Sequence, residues 1–261
     1  MHVSLALVSF IEGLTEFLPI SSTAHLILTA KVLHVDTADA FIQFFLIFIQ
    51  LGALLAGIIL FAKRIVTDKK LFVNLCASFV PTAIIGFALY KVFKKLLEGN
   101  MILIATVLLL GGIIFIYLEK FFMRRRGERS LEEFGKSDIS ITDAFVIGIA
   151  QAIAIIPGVS RSGATIIGGI LRNIKKVVII EYTFILAIPT LGAATLYDAY
   201  KNRALLESLS SYGDLAVGFI ISFVVALITL LIMKKYLPRI SLTAFGWYRI
   251  VLALVIFISF L

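Results

Sequence analysis

Residues 12–25 read EGLTEFLPISSTAH. Glu12, Glu16 and His25, with Ser21, Ser22 and Thr23, fall inside an otherwise apolar stretch from 3 to 34, and Pro19 interrupts that stretch near its middle. Such a cluster sits badly in a helix that simply crosses a bilayer, yet its surroundings are those of a membrane protein. The chain has 261 residues, 61% hydrophobic and 15% charged, and a mean hydropathy of +1.07. Soluble domains are nearer half apolar and a quarter charged. Six windows are long and apolar enough to cross, at roughly 40–62, 71–92, 101–122, 178–200, 213–235 and 241–261. The prediction is an all-α integral membrane protein with six transmembrane helices.

A second broken stretch runs from 141 to 174 around IPGVSRSGAT. Each broken stretch is too short for two crossings with a turn between them. A re-entrant helix pair fits better, because irregular backbone at membrane depth needs protein or a watery cavity around it. The halves also correspond. SSTAH (21–25) lies opposite RSGAT (161–165), LGAL (51–54) opposite LGAA (191–194), and Glu12 opposite Gln151, one residue off. The expected organisation is a first repeat, 1–122, a basic cytoplasmic linker, 123–140, and a second repeat, 141–261. Each repeat has a re-entrant pair and three spans. Three is odd, so the second repeat is inverted, and the breaks meet near the midplane.

The net charge of +8 is read as topology, not as a nucleic-acid footprint. Lys63, Arg64, Lys69, Lys70, Arg124, Arg125, Arg126, Arg129 and Lys136 fall on one side, with Arg172, Lys175, Lys176, Lys234, Lys235 and Arg239. The other side holds mainly Lys31, Lys94, Lys95, Lys201 and Arg203. Excess Lys and Arg mark cytoplasmic loops, which puts both termini outside. The first twenty residues lack a basic start and a small-residue cleavage site, so they are expected to belong to the mature fold. The one cysteine, Cys76, is expected to be a small buried side chain.

Glu12 and Glu16 are four apart and share a helix face. Two acids at that depth need protein, water, a cation or each other, and they suit a divalent cation or general-base work. After Pro19, the hydroxyls of Ser21, Ser22 and Thr23 suit helix capping. Ser22 and His25, one turn apart, could also converge as activated hydroxyl and imidazole. In the second break, Gly158 and Gly163 let a ligand approach backbone, and Ser160, Ser162 and Thr165 offer hydroxyls. Arg161 brings a planar donor fork to a helix start, a setting that suits phosphate. It could also pair with Glu12 or Glu16. Together the breaks describe a site for a phosphate ester or anhydride on a lipid tail.

At these residues the chain resembles the undecaprenyl pyrophosphate phosphatase (bacitracin-resistance) family. EGLTEFLPISSTAH and PGVSRSGAT look like its two signature boxes, and FIQLGALLA (48–56), EYTFILAIP (181–189) and FGWYRI (245–250) resemble further segments. The resemblance implies an enzyme that removes the terminal phosphate of a C55 polyprenyl diphosphate, leaving the carrier lipid for peptidoglycan synthesis. It places metal ligation on Glu12 and Glu16 and catalysis on Glu16, Ser22, His25 and Arg161. Phosphate binding falls to Ser160, Arg161 and Thr165, with Ser21 and Ser162 beside them. It implies Mg²⁺ or Ca²⁺, a cell-membrane location, a site open to the outer face, and membrane lipids but no nucleic acid as partners. A homodimer stays open, as does the nucleophile among Ser22, His25 and water. Ala24 stands where the family often has Gly. The alternative is a polyprenyl-phosphate flippase or transporter, since inverted repeats with broken helices are common in transporters.

Overall fold

The computed structural model describes residues 3–37, 39–96, 100–125, 135–201 and 212–260. Among them the chain is helical: α1 (Val3–Thr15), α2 (Ser22–Val32), α3 (Ala40–Thr67), α4 (Lys69–Leu96), α5 (Met101–Arg125), α6 (Ile141–Ala152), α7 (Arg161–Leu171), α8 (Lys176–Lys201), α9 (Tyr212–Tyr236) and α10 (Leu242–Phe260). Short 3₁₀ turns at Ile153–Ile155 and Leu237–Arg239 extend α6 and α9. Helices α3, α4, α5, α8, α9 and α10 are long and apolar enough to cross a membrane, and they fall on the six windows expected from the sequence. This is a multi-pass membrane protein. Residues 97–99, much of the basic segment 123–140 and Arg203 lie outside the described residues.

The other four helices have 13, 11, 12 and 11 residues. At about 1.5 Å per residue each rises under ~20 Å, short of the ~30 Å hydrocarbon core. They flank the two breaks, and their local backbones match. Helices α2 and α7 are equally long, and each follows a serine of positive φ, Ser21 at 73° and Ser160 at 72°. Each ends just before another residue of positive φ, His34 at 53° and Asn173 at 62°. Ser21 thus corresponds to Ser160, one residue from the register suggested by matching SSTAH with RSGAT.

Helix α1 packs on α9, α6 on α4, α3 on α8 and α9, and α5 on α10. Bare backbone makes the closest contacts. A Cβ on Gly148 of α6 would stand 2.1 Å from the Ser78 carbonyl of α4, and one on Gly13 of α1 would stand 2.5 Å from the Ser222 carbonyl of α9. Lipid tails are as apolar as leucine, so helices gain by close van der Waals approach, which small residues permit. The same medium explains a correction. Cys76 is exposed on α4, beside outward-facing Phe72, Val73 and Val80. An apolar side chain loses little by facing lipid, so an apolar setting in sequence does not imply a protein interior here.

The breaks are held by α10. Arg249 is fully buried. Its Nη2 donates to the Gly158 carbonyl at 2.9 Å and its Nη1 to those of Val159 at 3.1 Å and Pro19 at 3.5 Å. Longer bonds reach the carbonyls of Val107 and Leu108 on α5. Its guanidinium carbon lies 5.4 Å from the Phe115 ring centre. No carboxylate pairs with Arg249 among the described residues. A Cβ on Gly111 would stand 2.2 Å from Nη2, so α5 makes room for the arginine with a glycine.

Two stability predictions follow from this packing. Arg249→Met keeps bulk and removes every donor. Each buried acceptor left alone costs about 1–3 kcal/mol, so the detergent-solubilised protein should lose at least about 5 °C in Tm; an unchanged melt refutes the brace. Gly148→Ala should cost about 1–3 kcal/mol, as overpacking does, and so lower Tm by several degrees. Gly213→Ala, with open space around it, should melt like the parent.

Candidate active site

The two breaks and helices α3, α4, α6 and α8 enclose a cavity of about 330 Å³. Glu16, Ser21 and Ser22 reach it from the first break and Ser160 and Arg161 from the second, and Gln151 and Thr190 add polar groups. Residues about 140 positions apart in sequence therefore share one wall.

Glu16 is the hub. Its Oε2 accepts from Ser22 Oγ at 2.5 Å, and its Oε1 accepts from Arg161 Nη2 at 3.0 Å. Both charged side chains are largely shielded, at 5% and 11% side-chain exposure. That matters, because exposed ion pairs contribute little and buried ones are geometrically demanding. Arg161 also donates from Nη1 to the Thr183 carbonyl at 3.3 Å, while its Nε has no partner among the described residues. The arginine thus keeps a donor in reserve beside the cavity. It pairs with Glu16 across the breaks, as one of the sequence alternatives has it.

Glu12 stands one turn behind Glu16, fully buried, and among the described residues no hydrogen-bond donor reaches either of its carboxyl oxygens. It does not reach the cavity wall. An acid with two vacant acceptors beside a second acid is a chemical setting for a cation. Among the described residues no three His, Cys, Asp or Glu side chains converge, so further oxygen ligands would have to come from substrate or water.

The serines divide their work. Ser21 Oγ caps α2 through the Ala24 N–H at 3.4 Å, and Ser160 Oγ caps α7 through the Gly163 N–H at 3.2 Å. Both hold left-handed backbone, which is strained for a residue with a Cβ and is found where function requires it. Ser162 Oγ donates to the Leu18 carbonyl at 2.8 Å, tying the second break to the first. Thr165 is fully buried behind Arg161; its hydroxyl bonds the Arg161 and Ser162 carbonyls and accepts from Thr183. Neither Ser162 nor Thr165 lines the cavity: Thr165 holds the Arg161 carbonyl, and Ser162 ties the two breaks together.

His25 also sits off the wall. Spacing puts it on the face of Ser22, but its Nδ1 bonds the Ser21 carbonyl at 2.8 Å and its Nε2 meets the Tyr248 hydroxyl at 2.7 Å. Ser22 has turned to Glu16 instead. Tyr248 and Arg249 went unassigned in the sequence reading although they lie in FGWYRI. The available signal was an arginine inside an apolar span, which is costly unless it has a task.

The model for the family described as "Bacitracin resistance protein BacA" matches residues 5–255. Over 245 residues the chain is 44% identical to a protein of Aquifex aeolicus named undecaprenyl-diphosphatase, covering 94% of this chain and 93% of that one. A Campylobacter fetus protein of the same name is 40% identical over 98% of this chain and 97% of its own. One from Sulfurihydrogenibium is 38% identical over 97% and 96%. Both boxes that form the cavity wall fall within these matches, and the chain belongs to the bacitracin resistance protein BacA family.

Proposed function

We propose that this protein is an undecaprenyl-diphosphate phosphatase of the cell membrane. It releases the terminal phosphate of the C55 lipid and leaves the monophosphate carrier for cell-wall synthesis. Bacitracin resistance follows because that antibiotic sequesters the diphosphate. The observation that carries the reading is Glu16 held between Ser22 and Arg161 on a cavity built from both breaks. The names of its relatives point the same way. A lipid carrier alone has no use for a serine hydroxyl already bonded to a carboxylate, so the transport reading is not favoured.

Ser22 is the nucleophile in this reading. Glu16 takes its proton as Oγ attacks the terminal phosphorus. The bond from that phosphorus to the bridging oxygen breaks, and the lipid monophosphate leaves with the electron pair. Water then attacks the phosphoserine, frees inorganic phosphate and restores the hydroxyl. Attack by water with Glu16 as base uses the same geometry. Arg161 swings from Glu16 to the phosphate oxygens and grips two at once. The first turn of α7 turns its N–H groups toward the same anion.

Glu12 and Glu16 would hold the divalent cation, Mg²⁺ or Ca²⁺. The vacant oxygens of Glu12 support this fit, and one or two carboxylates plus substrate phosphates is a usual Mg²⁺ arrangement. When bound, the cation supplies charge neutralisation at the phosphate.

In this reading α1–α5 and α6–α10 are inverted repeats, within 1–122 and 141–261, whose short helices are re-entrant. The matched backbones of α2 and α7 support it, and so does the packing of α1 on α9 beside that of α6 on α4. The basic linker is cytoplasmic, and the cavity opens to the outer face.

Two activity tests bear on the reading. Arg161→Lys keeps the charge and loses the fork. It should fold and lose roughly 10²-fold or more in kcat, the scale of one lost transition-state donor; near-parent turnover would mean that charge alone suffices. In a metal titration of phosphate release, chelator should abolish activity and Mg²⁺ or Ca²⁺ restore it. Glu12→Gln should recover turnover at high metal, and Glu16→Gln should not. The reverse ranking would exchange the roles of the two acids, and indifference to chelator would remove the cation.

A further inference from the structure

We infer that Tyr248 is a positioning residue for the reaction, acting through His25; this rests on the proposed phosphatase reading and on His25 being among its catalytic residues, as the family resemblance implies. The Ser21 carbonyl fixes which imidazole nitrogen holds the proton, and the Tyr248 hydroxyl holds the other nitrogen ready to accept one.

The tautomer follows from the partners. Nδ1 faces the Ser21 carbonyl at 2.8 Å. A carbonyl only accepts, so Nδ1 carries the hydrogen. In the neutral ring Nε2 then holds the lone pair, and the Tyr248 hydroxyl at 2.7 Å donates to it. The partner of one ring nitrogen sets the chemistry of the other. The two rings lie nearly parallel, at 9° with centres 5.7 Å apart, so Tyr248 also limits imidazole rotation.

The two partners of His25 differ in what they allow. The Ser21 carbonyl accepts whether the ring is neutral or protonated. Nε2 changes from acceptor to donor when it takes a proton, and few side chains can follow that change. A phenol hydroxyl can, because it both donates and accepts. His25 is buried at 8% exposure whereas Tyr248 is 45% exposed. The phenol therefore runs from the outer surface of the bundle to a buried nitrogen. Without it, Nε2 would lack a partner in one or both protonation states, a cost that buried polar groups bear heavily.

Placement explains why α10 supplies the contact. Arg249, the next residue, is anchored to the carbonyls of both breaks. The helix that fixes the breaks thereby fixes the phenol against the imidazole that follows the first of them. His25 in turn holds the Ser21 carbonyl, next to Ser22. A displaced imidazole would loosen the turn from which Ser22 reaches Glu16.

The test compares the parent, Tyr248→Phe, His25→Ala and the control Trp247→Phe as purified full-length proteins turning over polyprenyl diphosphate. Phosphate release gives kcat and KM. ¹⁵N spectra of histidine-labelled protein report the imidazole, with His25 assigned by its absence in His25→Ala. Tyr248→Phe leaves the buried Nε2 without its partner, so it should stay folded, melt a few degrees below the parent, and keep KM within about twofold. Its kcat should fall by at least about tenfold, below the 10²–10⁴ that a whole acid–base catalyst contributes. The Nε2 resonance of His25 should move while Trp247→Phe leaves all readouts unchanged. If Tyr248→Phe does not fold, Tyr248→Gln, which can also donate and accept, serves in its place and should retain more turnover than Tyr248→Leu. Parent-like kcat in Tyr248→Phe, or a lower kcat with an unmoved Nε2 resonance, overturns the proposal. Parent-like turnover in His25→Ala overturns the role of His25 beneath it, and it is read from a protein whose Tyr248 is intact.

Discussion

A helix that stops inside a bilayer leaves carbonyls and N–H groups with no water to satisfy them, at several kcal/mol for each. Each of the two breaks in this chain, buried among its helices, meets the same constraint. At the first break the Leu18 carbonyl receives Ser162 and the Pro19 carbonyl receives Arg249. At the second, the carbonyls of Gly158 and Val159 receive Arg249. Ser21 and Ser160 cap the N–H groups of the helices that restart. Each break is satisfied largely by groups from elsewhere in the chain, so neither half of the site forms alone.

That mutual dependence is also what makes the site. The pairing that closes the breaks sets Arg161 against Glu16 and leaves Ser22 on the second oxygen of the same carboxylate. One carboxylate then faces an anion-binding group and a hydroxyl together. In the proposed reading an arriving phosphate would compete with Glu16 for Arg161, and its success would free the carboxylate to act on Ser22. Substrate binding and activation of the hydroxyl would then be linked through a single exchange of partners.

The spans were legible in the sequence because hydropathy over about twenty residues is a long-range average, robust to local detail. The breaks were legible because Pro, Gly and hydroxyl clusters are conspicuous among apolar residues. The sequence also pointed to Arg161 and to the acids that could receive it. What it hid depends on contacts between distant residues. His25 and Tyr248 are separated by 223 positions, and helical spacing favoured the nearer Ser22. Arg249 was hidden because its partners are backbone carbonyls, which every residue carries and no motif marks. Ser162 and Thr165 belonged to the right box, yet their hydroxyls turn to carbonyls rather than to the cavity, a choice of rotamer that sequence does not display. Cys76 was misplaced because lipid and protein interior look alike to an apolar side chain.

Glu12 and Gln151, set opposite one another in the proposed repeat, differ in charge and in what surrounds them. Gln151 is buried and donates from Nε2 to the hydroxyls of Thr82 and Thr190, both at 3.0 Å. Thr82 continues a polar stripe with Asn74 and Ser78 along one face of α4, all buried. An amide brings two donors and no charge, and the two hydroxyls take both, although its Oε1 has no partner among the described residues. Ionised Glu12 has acceptors only, and among the described residues no donor reaches it. Its neighbour Glu16 has both oxygens engaged and repels a second charge. The amide thus leaves a neutral acceptor unpaired, whereas an ionised acid leaves a charge unpaired until something positive or a proton arrives. Glu12, the unpaired acid, lies in the half of the chain that carries Ser22, and in the proposed reading that difference between the halves makes the site one-sided.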